Sequence, residues 1–258
     1  MKRLIISIFV LVMLIFNVAI NAYATSSDEL SWYVKRNGKL SPGFPAETEV
    51  LDTLNAYYID KKCDDDNKKI YITFDAGYEN GNVSRILDVL HDECVPAAFF
   101  ILDNIIIKNT DVVRRMIEDG HTVCNHTKRH KNLSSSSKSE IENDLKALEE
   151  IYREKTGCEM SKYFRFPEGK YSINALRSVN ELGYKTVFWS FGYEDWDNNN
   201  QPTREYSIKK ILSNTHSGAV FLFHPTSKTN ADIMPTLIRA WRDMGYSFGT
   251  LDELCRIQ

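Results

Sequence analysis

Short apolar runs alternate with amphipathic segments from residue 69 to the end of the chain. Runs typical of buried strands lie at residues 70–74, 97–101, 121–125, 163–166, 185–190, 219–223 and 247–250. Between them, apolar residues recur at helical spacing and predict helices at residues 83–91, 111–119, 137–155, 174–182, 206–214 and 231–244. This alternation predicts an α/β fold, in which parallel strands are covered by helices on the outside.

About seven strands favour a closed barrel over an open sheet. An open doubly wound sheet is the structural alternative, since periodicity alone does not decide whether a sheet closes. No glycine-rich phosphate loop follows any of the strands, which speaks against the nucleotide-binding version of that alternative.

Two segments of different composition precede the predicted barrel. Residues 1–24 combine a basic start, an apolar run over residues 4–20 and an Ala-Tyr-Ala sequence, which is typical of a cleaved signal peptide. We therefore expect an exported, extracytoplasmic protein; retention by residues 4–20 as a membrane anchor is the alternative. Residues 25–68 form a lead-in that we expect to pack on the barrel through its aromatic residues, and residues 69–258 form the main domain.

Charge and cysteine content narrow the choice of function. The net charge is -3 and the sequence pI is about 6.1, so no broad basic surface for nucleic acid is expected. Five cysteines, an odd number without a C-x-x-C pair, make a disulfide framework unexpected, although one bridge stays possible.

Polar residues end or follow several of the predicted strands. In a barrel of parallel strands these positions meet at one face, where such folds carry their chemistry. The residues concerned are Asp75, His126, His130, Arg165, Asp195 and His224. Two histidines four residues apart lie on one face of a helical turn, so His126 and His130 are expected to reach one metal ion that polarises a carbonyl.

The other four residues form an acid–base set. Asp75 is a carboxylate that can take a proton from water, and a nearby Arg165 would keep it ionised. His224 can donate a proton to a leaving amine, and Asp195 can hold its imidazole in the donating tautomer. The set suits amide hydrolysis without a covalent intermediate, and no G-x-S-x-G sequence points to a serine nucleophile.

These residues lie in segments that resemble the five ordered motifs of the polysaccharide deacetylases, the NodB-homology enzymes of carbohydrate esterase family 4. The segments are residues 73–77 (Thr-Phe-Asp-Ala-Gly), 126–130 (His-Thr-Lys-Arg-His), 165–169 (Arg-Phe-Pro-Glu-Gly), 195–196 (Asp-Trp) and 222–224 (Leu-Phe-His). The resemblance covers residues 69–254. It implies a distorted (β/α)7 barrel, a metal-dependent N-deacetylase and the roles given above, with Leu222 lining the pocket for the acetyl methyl group.

Ala76 departs from the family pattern. Most members carry a second aspartate there, which is the third metal ligand, and alanine cannot coordinate a metal. The resemblance therefore implies a divalent metal, zinc or similar, that is bound weakly, or a site in which water and Asp75 fill the gap.

A longer resemblance points to one subgroup, the muramic-δ-lactam-forming de-N-acetylases of spore-forming bacteria. It rests on residues 31–36, 73–81, 188–190, 195–196 and 230–231. It implies deacetylation of N-acetylmuramic acid in peptide-free peptidoglycan, followed by lactam closure in the spore cortex. The partner would be the glycan strand, and no stable protein partner is evident.

Two other functions stay open at this point. The chain could act on N-acetylglucosamine or chitin-type substrates, or Ala76 could mark a non-catalytic protein that binds wall glycans. Contacts with sugars are expected from Tyr78 and Trp196 by stacking and from Glu168 by hydrogen bonding, although each of these side chains could instead serve packing or face solvent.

Overall fold

The computed structural model describes residues 27–255. Its strands are β1 (Leu30–Ser31), β2 (Ala56–Tyr57), β3 (Lys69–Ala76), β4 (Ala98–Ile101), β5 (Thr122–Asn125), β6 (Tyr163–Phe164), β7 (Lys170–Tyr171), β8 (Lys185–Val187), β9 (Val220–Phe223) and β10 (Ser247–Phe248). Its helices are α1 (Thr48–Thr53), α2 (Asn82–Asp92), α3 (Asp103–Lys108), α4 (Thr110–Glu118), α5 (Lys138–Thr156), α6 (Ile173–Glu181), α7 (Arg204–Ser213), α8 (Lys228–Asp243) and α9 (Leu251–Cys255).

The main sheet is parallel and curls on itself in the order β9, β3, β4, β5, β6, β8. Strand β10 pairs with the start of β3, and β2 pairs with β8. The chain beyond β8 closes the ring, because Phe191 forms a parallel bridge with Phe221 of β9. A second isolated bridge joins Ile59 to Ala219. Closure by isolated bridges instead of a full ladder makes the barrel irregular. The predicted fold class, an α/β distorted (β/α)7 barrel, is confirmed by this topology and by the structural comparisons given below.

Strand residues alternate between two apolar layers, as the pleat requires. In β4, Ala98 and Phe100 belong to the cluster inside the barrel, whereas Phe99 and Ile101 face the helices. The outer layer is completed by amphipathic helices such as α2, whose apolar residues at helical spacing are fully buried. Alternation in β3 therefore decides which of its side chains reach the interior.

Most predicted elements are found with small shifts at their ends. Ser137 begins α5 with the capping box that the sequence predicts: its hydroxyl accepts from the backbone N–H of Glu140, and the Glu140 carboxylate accepts from the backbone N–H of Ser137. The predicted strand at residues 163–166 ends early, because Pro167 opens a short 3-10 turn.

The lead-in is partly built into the barrel. Strand β1 pairs with β7, and Trp32 stacks on Phe188 with ring centroids 4.6 Å apart. Strand β2 is a member of the main sheet, so the predicted boundary at residue 69 separates β2 from the sheet to which it belongs. The predicted signal segment, residues 1–24, lies outside the described residues. Among residues 27–255, no helix has both the length and the apolar character needed to cross a membrane.

Gly218, at the entry to β9, gives a test of the packing that closes the barrel. Its φ is +76°, and a Cβ atom there would lie 2.1 Å from the carbonyl oxygen of Asp60. We expect Gly218→Ala to lower the free energy of unfolding by about 1–2 kcal/mol for the left-handed backbone and by about 1–3 kcal/mol more for the overlap. Denaturant titration measures the change.

Gly120→Ala is the matched control, because Gly120 has a similar φ of +80° but nothing within 4 Å of the added Cβ. Gly120→Ala should lower the free energy of unfolding only by the amount due to the left-handed backbone, about 1–2 kcal/mol. Equal losses in the two variants would contradict the close packing of Gly218 against Asp60.

Candidate active site

Arg165 and Asp75 meet inside the barrel. The Arg165 side chain is fully buried; its Nη1 donates to Asp75 Oδ1 at 2.8 Å, its Nη2 to Thr73 Oγ1 at 2.8 Å and its Nε to the carbonyl of Val187 at 2.8 Å. The guanidinium also lies over the ring of Phe100, 4.1 Å from its centroid. Asp75 and Thr73 face inwards because they have the same parity in β3.

These surroundings decide the charge of Asp75. Burial would raise the pKa of this carboxyl group, but interactions with His126, Arg165 and His224 outweigh burial and hold the pKa below its usual value. Asp75 is therefore ionised at neutral pH and able to accept a proton.

His126 and His130 lie in an irregular loop, so the prediction that they share a helical turn is wrong. Thr127 and His130 have φ values of +67° and +57°, which no helix contains. Asn125 anchors the loop: its Oδ1 accepts from the backbone N–H of Thr127 at 2.9 Å, and its Nδ2 donates to the carbonyl of Leu145 at 3.1 Å. The loop still brings the two imidazoles together, with ring centroids 5.0 Å apart.

The protonation of His126 follows from its partner. Its Nδ1 lies 2.9 Å from the carbonyl oxygen of Arg165, which can only accept, so Nδ1 carries the hydrogen. Burial lowers the pKa of His126 to about 4, so the ring is neutral at pH 7. Its buried Nε2 has no hydrogen-bond partner and faces Asp75 Oδ2 at 3.5 Å.

A bare imidazole nitrogen beside a second imidazole fits a divalent transition metal. Over residues 27–255, no three His, Cys, Asp or Glu side chains are already arranged as a metal centre. The two histidines therefore form an incomplete ligand set, in line with the departure at Ala76. Ala76 itself is fully buried in the outer apolar layer.

His224 follows β9 and is held by Asp195. The imidazole Nδ1 donates to Asp195 Oδ1 at 2.8 Å, and the backbone N–H of His224 donates to Oδ2 at 2.9 Å. Burial alone would lower the pKa of His224, but the charge and hydrogen bond of Asp195 outweigh it and raise the pKa above its usual value. The Nδ1 contact leaves Nε2 of His224 to carry the exchangeable proton.

Sequence reasoning gave no role to the residues that hold Asp195. Asn230 donates from Nδ2 to Asp195 Oδ2 at 2.6 Å, and the hydroxyl of Tyr193 donates to Asn230 Oδ1. The Tyr193 contact fixes the orientation of the amide, because a flipped amide would turn its oxygen towards a carboxylate. The serine cap at Ser227 was the available signal, since it places Asn230 in the first turn of α8.

A cleft of roughly 550 Å³ opens at this end of the barrel. It is lined by Asp75, His130, Glu168, Trp189, Trp196, Leu222 and His224. The other predicted residues, His126, Arg165 and Asp195, are buried and contact members of this set.

The residues predicted to contact sugar differ in position. Leu222 and the exposed Trp196 form part of the cleft wall, and Glu168 reaches it from a left-handed backbone with φ of +56° while pairing with Lys170 at 2.7 Å. Tyr78 is half-exposed outside the lining set, where its hydroxyl accepts from Asn198.

Comparison with known proteins identifies the family. The family model described as polysaccharide deacetylase matches residues 62–187. The peptidoglycan-N-acetylmuramic acid deacetylase PdaA of Bacillus subtilis is 31% identical over 92% of this chain and 89% of its own length. The chain belongs to the polysaccharide deacetylase family.

Other relatives support this assignment. An uncharacterised 30.6 kDa protein of Geobacillus stearothermophilus is 36% identical over 90% of this chain and 87% of its own length. The solved structure of B. subtilis PdaA, a family 4 carbohydrate esterase, superposes with a TM-score of 0.83 at 31% identity, covering 89% of this chain and 98% of that one. A family 4 carbohydrate esterase from Bacillus anthracis gives a TM-score of 0.73 at 31% identity, covering 90% and 98%.

The predicted family and enzyme class are thus confirmed. The protein is a hydrolase of the deacetylase class that acts on an amide bond.

The Asp195–His224 contact predicts a change in titration. In Asp195→Asn the attraction that raises the His224 pKa is lost while burial remains, so the pKa should fall and the imidazole should lose its proton at lower pH. A pH titration of the His224 ring resonance by NMR measures this. Asp197→Asn, two residues away on the exposed surface, should leave the curve in place, and an unchanged His224 pKa in Asp195→Asn would contradict the assigned ion pair.

Proposed function

We propose that the protein removes the acetyl group from N-acetylmuramic acid in peptide-free peptidoglycan. The freed amine and the lactyl carboxyl of the same sugar would then condense, with loss of water, into the muramic δ-lactam of the spore cortex. The observation that carries the chemistry is that Asp75 and His224 line one cleft, each with a buried partner that sets its charge. The substrate is inferred from the likeness to a protein named for N-acetylmuramic acid deacetylation over nearly its whole length.

In the proposed reaction Asp75 is the general base. Arg165 holds Oδ1, so Oδ2 is the oxygen that can accept a proton from the attacking water. His224 is the general acid, which passes the proton on Nε2 to the departing amine while Asp195 stabilises the imidazolium.

His126 and His130 would hold a divalent metal such as zinc. When bound, such an ion supplies a Lewis acid beside the acetamide carbonyl. Because His126 is neutral and its Nε2 has no hydrogen-bond partner, this nitrogen is suited to bind the metal.

The cleft wall would position the sugar. We assign Leu222 to the acetyl methyl group, Trp196 to stacking on a sugar ring, and Glu168 to a hydrogen bond with a sugar hydroxyl. Tyr78 would contact the glycan strand beyond the cleft. Action on wall glycan also implies an extracytoplasmic location, for which residues 1–24 would act as the signal peptide.

Acetate release tests the function. Purified protein should release acetate from peptide-stripped glycan strands, and much less from chitin oligomers or from strands with intact stem peptides. Asp75→Asn and His224→Gln should each lower kcat by about 10²-fold or more, since each removes one proton transfer. Asp197→Asn should retain wild-type activity.

Each alternative has its own outcome. Preference for chitin oligomers would move the assignment to a glucosamine-type deacetylase. Binding of glycan without acetate release, equal in wild type and Asp75→Asn, would make the protein a wall-binding module.

A further inference from the structure

The segment between β8 and α7 contains residues 195–201, which we call the tryptophan loop. Asp195 at its start holds His224, and the next residue, Trp196, lies in the cleft wall and is 59% exposed. The Trp196 ring stands edge-on to the ring of His224, with centroids 6.3 Å apart. Because so exposed an indole has little packing of its own, its position in the cleft depends on the backbone that carries it.

One side-chain amide holds that backbone. Gln201 Nε2 donates to the carbonyl of Asp195 at 3.0 Å and to the carbonyl of Asp197 at 2.8 Å, one residue before and one residue after Trp196. Carbonyl oxygens only accept, so the nitrogen of the amide must be the atom that faces them. Both hydrogens of Nε2 are therefore used by the segment that carries the indole.

The oxygen of the same amide is bound to the start of α8. Gln201 Oε1 accepts from the hydroxyl of Ser227, which is fully buried and caps α8 by accepting from the backbone N–H of Asn230 at 3.1 Å. Beside it, the hydroxyl of Thr229 donates to the carbonyl of Pro202 at 2.8 Å. Gln201 thus connects an exposed loop to the first turn of a 16-residue helix.

The outer contact of the tryptophan loop is a weaker anchor. Asn198 donates to the hydroxyl of Tyr78, and both side chains are exposed. Water competes for such a hydrogen bond, so its net contribution is small. Gln201, whose partner Ser227 is fully buried, provides the stronger of the two links.

The carboxylate of Asp195 does not depend on Gln201 in the same way. Its Oδ2 accepts from Asn230 Nδ2 at 2.6 Å and from the backbone N–H of His224 at 2.9 Å. Loss of the Gln201 contacts should therefore displace the indole of Trp196 and leave the pair of Asp195 and His224 in place.

We propose that Gln201 is a positioning residue for glycan binding, whose amide fixes the backbone around Trp196 and so holds the indole where a sugar ring can stack on it. The inference rests on the proposed function and identifies the residue that supports one of its substrate contacts. Gln201 is not part of the cleft lining, so it acts through Trp196.

The mobility of the indole tests this positioning without any glycan. In Gln201→Glu an oxygen replaces the Nε2 donor and faces two carbonyl oxygens, so the loop should loosen and the order parameter of the Trp196 indole should fall. ¹⁵N relaxation of the indole N–H group measures this on the ps–ns timescale. A wild-type order parameter in Gln201→Glu would overturn the proposal.

Asn199→Asp is the matched control for this measurement. It exchanges an amide for a carboxylate in the same loop, but Asn199 is exposed and its side chain has no hydrogen bond within residues 27–255. The order parameter of the Trp196 indole should stay at the wild-type value. An equal fall in Asn199→Asp would attribute the loosening to added charge and contradict the role of the Gln201 amide.

Acetate release from peptide-stripped glycan strands tests the consequence for binding. Gln201→Glu should raise KM by about 2- to 10-fold, as expected for the loss of one ring contact. The kcat should stay within about 2-fold of wild type, because the acid keeps its own anchors. Gln201→Met, which removes the donor without adding a charge, should act in the same way. A fall in kcat at unchanged KM would place the effect on the acid and reject the inference.

A double-mutant cycle distinguishes positioning from a general structural role. Trp196→Ala should raise KM, and Gln201→Met added to it should raise KM no further if the amide acts through the indole. Effects of the two substitutions that multiply would show that Gln201 acts elsewhere. Thermal unfolding of each variant ensures that folded proteins are compared.

These outcomes are separate from the proposed function. Acetate release combined with an unchanged indole in Gln201→Glu rejects the inference and leaves deacetylation standing. If no glycan releases acetate, the function is rejected, and the relaxation measurement decides on the positioning by Gln201, since it needs no substrate.

Discussion

A guanidinium that has no contact with solvent organises the barrel interior. Arg165 can remain charged there only because its donors are met by a carboxylate, a hydroxyl and main-chain carbonyls, and because aromatic rings cover its face. Its partners belong to β3 and to the end of β8, whereas Arg165 itself follows β6. The same contacts that satisfy the buried charge therefore fix three strands relative to one another and hold Asp75 ionised. The contacts of Arg165 thus determine both the packing of the strands and the charge of the residue proposed as the base.

The loops around the cleft are built differently from the strands. Thr127, His130 and Glu168 have left-handed backbones, a conformation that is unfavourable for residues with side chains and persists only where the surroundings enforce it. Asn125 helps to hold this backbone through its hydrogen bonds to Thr127 and Leu145. Glu29 of the lead-in helps as well, since its carboxylate accepts from both Asn132 and Ser134 downstream of the histidines. The lead-in thus supports the imidazole loop from outside the barrel.

The sequence was informative where a short-range pattern governs the structure. Asp75 and His224 end apolar strands, and strand order alone brings such positions to one face, so their meeting could be predicted. The conformation of residues 126–130 could not, because His-x-x-x-His fits a helix equally well and the choice depends on anchors such as Asn125 and Glu29. Strand β2 was missed since two residues carry no periodicity. The amide of Asn230 had no local signature of its contact with Asp195, which depends on how α8 docks against the loop before it.

The pairing of the lead-in bears on how the chain reaches this state. Strand β2 finds its partner in β8 about 130 residues later, and β1 pairs with β7 about 140 residues later. A chain made from its amino end must therefore keep these early segments unpaired until most of the sequence exists. Until then the strand edges of the lead-in and of the incomplete sheet are exposed to other molecules. Such distant pairings slow folding, because the loop entropy is lost before the contacts form.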